Sequence, residues 1–139
     1  KRVISKLSKL DLEKKNICIW GVTFKPGTDD IRESQAIKII NKLLEEKFHI
    51  QIYDPKGMVR AKKYFQDVDN IKFYEEKYQA IDGSDALLLL TEWDQFRSPD
   101  FDLVKSKMRN RLLFDGRNIY NKKELENLGF DYFQIGVKD

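Results

Sequence analysis

The sequence predicts an α/β fold built on an open, mostly parallel sheet with helices on both faces. Short apolar runs alternate along the chain with segments whose apolar residues recur at helical spacing. One of the runs, "DALLLLT" at residues 85–91, contains four consecutive leucines, as expected of a parallel strand that is covered on both faces. Strand–helix–strand units of this kind imply right-handed crossovers, so we predict a Rossmann-like arrangement.

The first strand–helix–strand unit is the clearest in the sequence. Residues 16–22, "NICIWGV", are typical of a buried strand, and residues 34–47 have one apolar helical face. Ser34 stands where its hydroxyl can cap the start of that helix. Residues 49–55, "HIQIYDP", follow as a second strand, which Pro55 ends.

The alternation continues to the end of the chain. Helical segments are predicted at residues 58–65, 77–83, 100–108 and 121–129, and strands at residues 71–75, 85–91, 111–116 and 130–137. Upstream of the first strand, Val3, Leu7 and Leu10 recur at helical spacing. The chain opens with lysine inside this stripe, so we interpret it as a segment of a longer protein that starts within a helix.

Composition and charge exclude several classes of protein. With 41% hydrophobic residues and no apolar run near the roughly 18 residues of a membrane span, the sequence is typical of a soluble globular domain. The net charge of +3 comes from residues 1–15, which contain six basic and two acidic residues, so the rest of the chain sums to −1. A nucleic-acid-binding stripe is therefore not expected. The single cysteine excludes an internal disulfide and suits a reducing, cytoplasmic setting.

Charged loops are predicted at the edge of the sheet where the strands have their carboxyl ends, here called the carboxyl edge. They are residues 21–34 after the first strand, "TEWDQF" after the leucine strand and "DGRN" after "RLLF". The "YDP" motif after the second strand lies along the same edge. Open parallel sheets bind their ligands at this edge, so we expect a binding site here.

The loop "GVTFKPGTDDIRES" matches no standard nucleotide motif, because no second glycine follows closely on Gly21 and no lysine precedes Thr28. Lys25 and Arg32 nevertheless flank a turn before a helix N-terminus, where free amides favour an anion. These two side chains could share phosphate oxygens. Alternatively, the acidic residues of the loop neutralise them in a solvated surface segment.

Two further residues have two interpretations each. Arg117 either points across the strand ends toward an anion or pairs with Asp115 or another acid. Trp93 either stacks on a base or packs in the core.

No catalytic group is predicted in this chain. Cys18 lies inside an apolar strand without a basic neighbour, so we expect a buried packing residue. His49 has no second histidine with which to form a relay or a zinc site, and a structural role is expected for it. The adjacent Asp29 and Asp30 are expected to cap or to pair with basic residues, and no metal is predicted.

Four motifs in this order, "GVTFKPGTDDIRES", "YDP", "TEWDQF" and "FDGRNIY", resemble the C-terminal domain of the UDP-glucose 6-dehydrogenases, within the wider UDP-glucose/GDP-mannose dehydrogenase family. The resemblance covers about residues 12–137. It implies that residues 12–139 form a UDP-sugar-binding domain and that residues 1–11 end the long helix of a central region. "FDGRNIY" is more similar to the UDP-glucose branch than to the GDP-mannose branch.

The resemblance also implies ligands and site residues. The parent enzyme would oxidise UDP-glucose to UDP-glucuronate by two hydride transfers to NAD, with its catalytic residues outside this chain. Phe24 and Lys25 would contact the UDP-sugar, Arg117 the UDP part, and Arg32 would reach NAD. The isolated chain is then expected to bind UDP-sugar without turnover.

The expected partners are the missing N-terminal NAD-binding and central domains and a second subunit of a homodimer. Two alternatives remain open at this point. One is a dehydrogenase for another nucleotide sugar, such as a UDP-N-acetylhexosamine, and the other is a stand-alone nucleotide-binding module.

Overall fold

A computed structural model of the chain describes residues 16–23, 25–32 and 34–134. The helix predicted over residues 1–11, the site residue Phe24 and the end of the last predicted strand, residues 135–137, lie outside the described residues. The strands are β1 (Asn16–Trp20), β2 (His49–Tyr53), β3 (Ile71–Phe73), β4 (Ala86–Leu89), β5 (Leu112–Asp115) and β6 (Asp131–Gln134). The helices are α1 (Gln35–Glu45), α2 (Met58–Tyr64), α3 (Lys77–Ile81), α4 (Phe101–Lys107) and α5 (Lys122–Asn127), and a 3-10 turn spans Asp94–Phe96.

The six strands form one sheet in the order β3-β2-β1-β4-β5-β6, and every pairing is parallel. The α/β prediction is therefore confirmed, and the sheet is wholly rather than mostly parallel. Most strands are shorter than predicted because the chain leaves the sheet early at the carboxyl edge, as β1 does at Gly21. The strand order reverses between β1 and β4, and this is the point where open α/β sheets form a ligand crevice.

Alternate residues of the central strands supply two separate hydrophobic layers. Ile17 and Ile19 of β1 face a layer that includes buried residues of α1 and α2, whereas Cys18 and Trp20 face a layer closed by α3, α4 and α5. The leucines of β4 divide between the layers in the same way. Each fully buried aliphatic side chain contributes about 1.5–3 kcal/mol, so this alternation explains why the strands are apolar on both faces.

Helix α1 follows the loop after β1 and begins as predicted. The Ser34 hydroxyl accepts a hydrogen bond from the Ala36 amide at 3.1 Å, which is the predicted cap and is worth about 1 kcal/mol. Buried Ile37 and Ile40 lie on its inner face, and the chain turns after Glu46 with Lys47 at a positive φ of 69°. None of the described helices is long and apolar enough to cross a membrane.

Candidate functional site at the carboxyl edge

The loops after neighbouring strands begin side by side at the carboxyl edge. The Leu90 amide donates to the Trp20 carbonyl at 3.0 Å, and the Gly116 amide donates to the Leu89 carbonyl at 2.8 Å. The Gly21 amide donates to the Tyr53 carbonyl at 2.9 Å, which brings in the end of β2. The segments after β1, β2, β4 and β5 therefore leave the sheet together, as the sequence analysis predicted.

The loops after β1 and β4 approach each other closely at Gly21. Its φ is +98°, and a Cβ atom built on it would lie 2.5 Å from the Thr91 Cβ and 2.6 Å from the Thr91 amide nitrogen. The Thr91 hydroxyl then donates to the Thr23 carbonyl at 2.8 Å. Glycine at position 21 thus allows the two loops to join immediately beyond the sheet.

The carboxylate of Asp54, the residue directly after β2, accepts hydrogen bonds from the loop between β1 and α1. This side chain is only 1% exposed. Its Oδ2 accepts from the amides of Val22 at 2.8 Å and Thr23 at 3.2 Å, and the Thr23 hydroxyl lies 3.3 Å away. Its Oδ1 accepts from the amides of Lys56 at 2.9 Å and Gly57 at 2.7 Å, where α2 begins. One buried side chain therefore organises two loops.

Trp93 joins the same arrangement from the loop after β4. Its indole Nε1 donates to Asp54 Oδ2 at 3.1 Å. Its ring is partly buried and packs against the hydrophobic layer that contains Cys18 and Trp20. Of the two interpretations of Trp93, packing is confirmed, and its polar edge is directed to a buried carboxylate.

The loop after β5 is held by Asp115, which is fully buried. Its Oδ1 accepts from the Arg117 amide at 3.0 Å, and its Oδ2 accepts from the Tyr120 amide at 2.9 Å and the Tyr132 hydroxyl at 2.7 Å. Burial is the main cause that raises the pKa of both tyrosines, so both remain protonated donors.

The Arg117 side chain reaches toward the neighbouring β4 loop. Its Nε donates to Glu92 Oε1 at 3.1 Å, and both side chains are about one-third exposed. The prediction that Arg117 pairs with an acid is confirmed, but the acid is Glu92, because Asp115 is occupied by backbone amides and a hydroxyl. The other interpretation, in which Arg117 points toward an anion, stays a prediction.

Lys25 and Arg32 lie in the loop between β1 and α1, and both are exposed. The Arg32 guanidinium makes two hydrogen bonds to the Asp30 carboxylate, at 3.0 and 2.9 Å. Asp29 pairs instead with Arg60 of α2 at 3.1 Å. The predicted neutralisation by acidic neighbours is therefore present for Arg32, whose side chain nevertheless remains 84% exposed.

Acid titration tests the pairing of Arg32 with Asp30. Hydrogen bonds from the Arg32 side chain and backbone lower the pKa of Asp30 from 3.8 to about 2. Because this pKa is depressed in the folded chain, the pairing stabilises the loop above about pH 4 and is lost as the pH falls toward 2. Carboxyl NMR titration should give a midpoint near 2, and Arg32→Gln should move it part of the way back, because the backbone amide at position 32 still donates to Asp30. An equal midpoint in both proteins would contradict the assigned cause.

The other candidates lie away from the loops. Cys18 is buried, and burial raises the pKa of its thiol well above its usual range, so it is a packing residue as predicted. His49 is exposed at the first residue of β2, on the opposite edge of the sheet. Within residues 16–23, 25–32 and 34–134, no group of three or more His, Cys, Asp or Glu side chains is arranged to hold a metal ion.

The sequence analysis missed the roles of Asp54 and Glu92. An acidic residue immediately after a buried strand, as in "IYDP", is a usable signal for Asp54, because its carboxylate emerges where unpaired loop amides begin. Glu92 gives no such signal, since its partner Arg117 is 25 residues away along the chain.

The chain is similar in sequence to known proteins. A family model described as "UDP-glucose/GDP-mannose dehydrogenase family, UDP binding domain" matches residues 18–122. The chain is 37% identical over 135 residues to the UDP-glucose 6-dehydrogenase of Rickettsia bellii, covering 97% of this chain and 31% of that protein. It is 42% identical over 129 residues to the UDP-glucose 6-dehydrogenase of Rhizobium meliloti, covering 93% of this chain and 29% of that protein. The chain therefore spans less than one third of the length of either relative.

Solved structures share the fold. A UDP-D-ManNAc dehydrogenase from Pyrococcus horikoshii aligns with a TM-score of 0.73 at 24% identity, over 96% of this chain and 29% of that one. An NDP-N-acetyl-D-galactosaminuronic acid dehydrogenase from Methanosarcina mazei aligns with a TM-score of 0.78 at 18% identity, over 98% and 28%. At these identities the structures support the fold alone, whereas the family model and the curated relatives identify the family. The chain belongs to the UDP-glucose/GDP-mannose dehydrogenase family and corresponds to its UDP binding domain.

Proposed function

We propose that this chain is the UDP-sugar-binding part of an NAD-dependent UDP-glucose 6-dehydrogenase. The observation that carries the proposal is the identity of 37% and 42% to relatives of that name, over 97% and 93% of the chain. In this proposal the whole protein oxidises UDP-glucose to UDP-glucuronate by two hydride transfers to NAD. The catalytic residues and the NAD-binding domain belong to other parts of the protein, and the whole protein is a homodimer.

The geometry supports a diphosphate site at the carboxyl edge. Lys25 follows β1 and Arg117 follows β5, and β4 lies between these two strands. Cationic side chains on either side of the β4 loop suit a ligand whose two phosphates lie across that loop. Lys25 would act as a point charge and Arg117 as a planar fork, and Phe24 is proposed as a further contact of the UDP-sugar.

Arg32 is proposed to face NAD from another domain. Its exposed guanidinium is held in position by Asp30, and an ion pair at the surface costs little to rearrange. An NAD phosphate could therefore share or replace this carboxylate. This assignment gives the two ends of the loop different ligands, with the UDP-sugar at Lys25 and the cofactor at Arg32.

Calorimetric titration of UDP into this chain tests the proposal. Lys25→Ala and Arg117→Ala should each weaken UDP binding by about 10- to 100-fold, because a hydrogen bond to a charged group contributes about 1.5–3 kcal/mol. Lys62→Ala, which removes an exposed lysine of α2, is the matched control and should leave the affinity unchanged. Equal affinities in all four proteins would refute the site assignment.

Enzyme assays separate binding from catalysis. This chain alone should bind UDP and UDP-glucose but should not reduce NAD in their presence. The same residues changed in the whole protein should raise the KM for UDP-glucose more than they lower kcat, because they bind a part of the substrate remote from the reacting carbon. NADH formation by the isolated chain would contradict the proposed division of roles.

A further inference from the structure

We propose that Asp54 is a positioning residue of the UDP site, whose buried carboxylate fixes the loop that carries Lys25 relative to the loop that carries Glu92. This inference rests on the proposed function. Asp54 itself is buried and is not proposed to touch the ligand. Its effect on binding would pass through the backbone and through Trp93.

The hydrogen bonds of Asp54 require a carboxylate. Both oxygens accept from N–H groups: Oδ2 from Val22, Thr23 and Trp93, and Oδ1 from Lys56 and Gly57. An ionised carboxylate is an acceptor at both oxygens, whereas an amide of the same shape presents two N–H donors on one side. In asparagine, the side-chain NH2 group would therefore face N–H donors at the position of either Oδ1 or Oδ2, and the hydrogen bonds there would be lost.

The connection from Asp54 to Lys25 is short. Val22 and Thr23, whose amides donate to Asp54, precede Lys25 by only three and two residues, respectively. The Thr23 hydroxyl lies 3.1 Å from the Lys25 carbonyl and 3.3 Å from Asp54 Oδ2, so it can donate to either. The backbone at Lys25 is thus held close to a fixed, buried point, although its side chain is exposed.

The connection from Asp54 to Arg117 passes through the β4 loop. Trp93, which donates to Asp54, directly follows Glu92, and Glu92 accepts from the Arg117 Nε. Asp54 therefore links both proposed phosphate-binding cations, one through the β1 loop and one through Trp93 and Glu92. Loss of the carboxylate would leave the two loops joined mainly by the hydrogen bond from the Thr91 hydroxyl to the Thr23 carbonyl. The loops would then be positioned less exactly, and a misplacement of about 1 Å is enough to weaken a preorganised site strongly.

Asp85 provides a matched control. It is also buried, with 0% exposure, and it also accepts several hydrogen bonds, from the Asn16 amide, the Arg109 guanidinium and the Asn110 amide group. It lies just before β4, at the opposite edge of the sheet from the loops. Asp85→Asn should therefore lower the stability of the fold without changing the proposed site.

The test compares Asp54→Asn, Trp93→Phe and Asp85→Asn at a temperature where each protein is folded. Asp54→Asn should raise the Kd for UDP about tenfold or more, by the geometric argument above. Trp93→Phe, which removes one donor and keeps an aromatic ring, should raise it by a smaller factor, and Asp85→Asn should leave it unchanged. Equal Kd values for Asp54→Asn and the unaltered chain, or equal increases in Asp54→Asn and Asp85→Asn, would overturn the proposal. If Asp54→Asn does not fold, an unchanged Kd in Trp93→Phe would overturn it.

Amide hydrogen exchange separates this proposal from the proposed function. Exchange at Val22, Thr23 and the Trp93 indole should accelerate in Asp54→Asn and not in Asp85→Asn. If the unaltered chain bound no UDP, the proposed function would fail, and the exchange rates would still decide whether Asp54 holds the two loops. Uniform acceleration in both variants would assign Asp54 a general structural role and reject the positioning role.

Discussion

Gly21→Ala is expected to destabilise the chain by about 2–5 kcal/mol. A methyl group at this position would lie 2.5 Å from the Thr91 Cβ and 2.6 Å from the Thr91 amide nitrogen, far inside van der Waals contact. Overpacking of this kind costs about 1–3 kcal/mol, and a non-glycine residue at positive φ costs about 1–2 kcal/mol more. The β4 loop cannot move aside readily, because Thr91 lies only two residues after the end of β4 and is buried.

Gly83→Ala is the control for the steric part of this effect. Gly83 also has a positive φ, of +75°, but apart from its two chain neighbours no heavy atom of the described residues lies within 4 Å of a Cβ built there. It should therefore show the conformational cost alone, about 1–2 kcal/mol. Urea unfolding of both variants measures the difference. If the two substitutions were equally destabilising, close approach of the β1 and β4 loops would not be the reason for glycine at position 21.

Asp85→Ala is expected to destabilise the fold by about 3 kcal/mol. The Asp85 carboxylate accepts from the Arg109 guanidinium at 3.0 and 3.1 Å, from the Asn110 side chain at 2.9 Å and from the Asn16 amide at 2.9 Å. Removing one partner of a buried pair costs about 3–5 kcal/mol, and the lower end applies because the Arg109 side chain is 44% exposed and can be rehydrated.

An exposed ion pair is the appropriate comparison for Asp85. Arg97 and Asp94 lie 3.7 Å apart at the surface, and Asp94→Ala should cost much less than Asp85→Ala because solvent screens this pair. Thermal unfolding of the two variants should therefore show a clear fall in Tm for Asp85→Ala and a small one for Asp94→Ala. Similar falls would mean that the buried carboxylate contributes no more than a surface charge.

The sequence predicted the fold well because its signals are local. The four leucines of β4 and the alternation of apolar and amphipathic segments depend on neighbours within one strand or helix, and that pattern sufficed for the parallel sheet. The carboxyl edge was predictable too, because parallel strands bring their ends together. Strand ends were less accurate, since the chain leaves the sheet where loop contacts such as Gly21 with Thr91 require it.

The details of the candidate site depended on partners far apart in sequence. Whether Arg117 pairs with Asp115 or with another acid could not be decided locally, because Glu92 reaches it only when β4 and β5 are neighbours. Asp54 is a similar case, with Trp93 lying 39 residues away. Charge patterns indicated which loops share the carboxyl edge, but the hydrogen-bond and ion-pair partners within these loops depend on tertiary structure.

The position of β1 has a consequence for folding during synthesis. This strand emerges first of the six, yet it lies in the middle of the sheet, between β2 and β4. In a growing chain that has been synthesised only as far as β3, the side of β1 that pairs with β4 has no partner. An unpaired apolar strand edge promotes association with other chains. Ribosome-bound chains stopped before β4 should therefore depend more on chaperones than chains stopped after it.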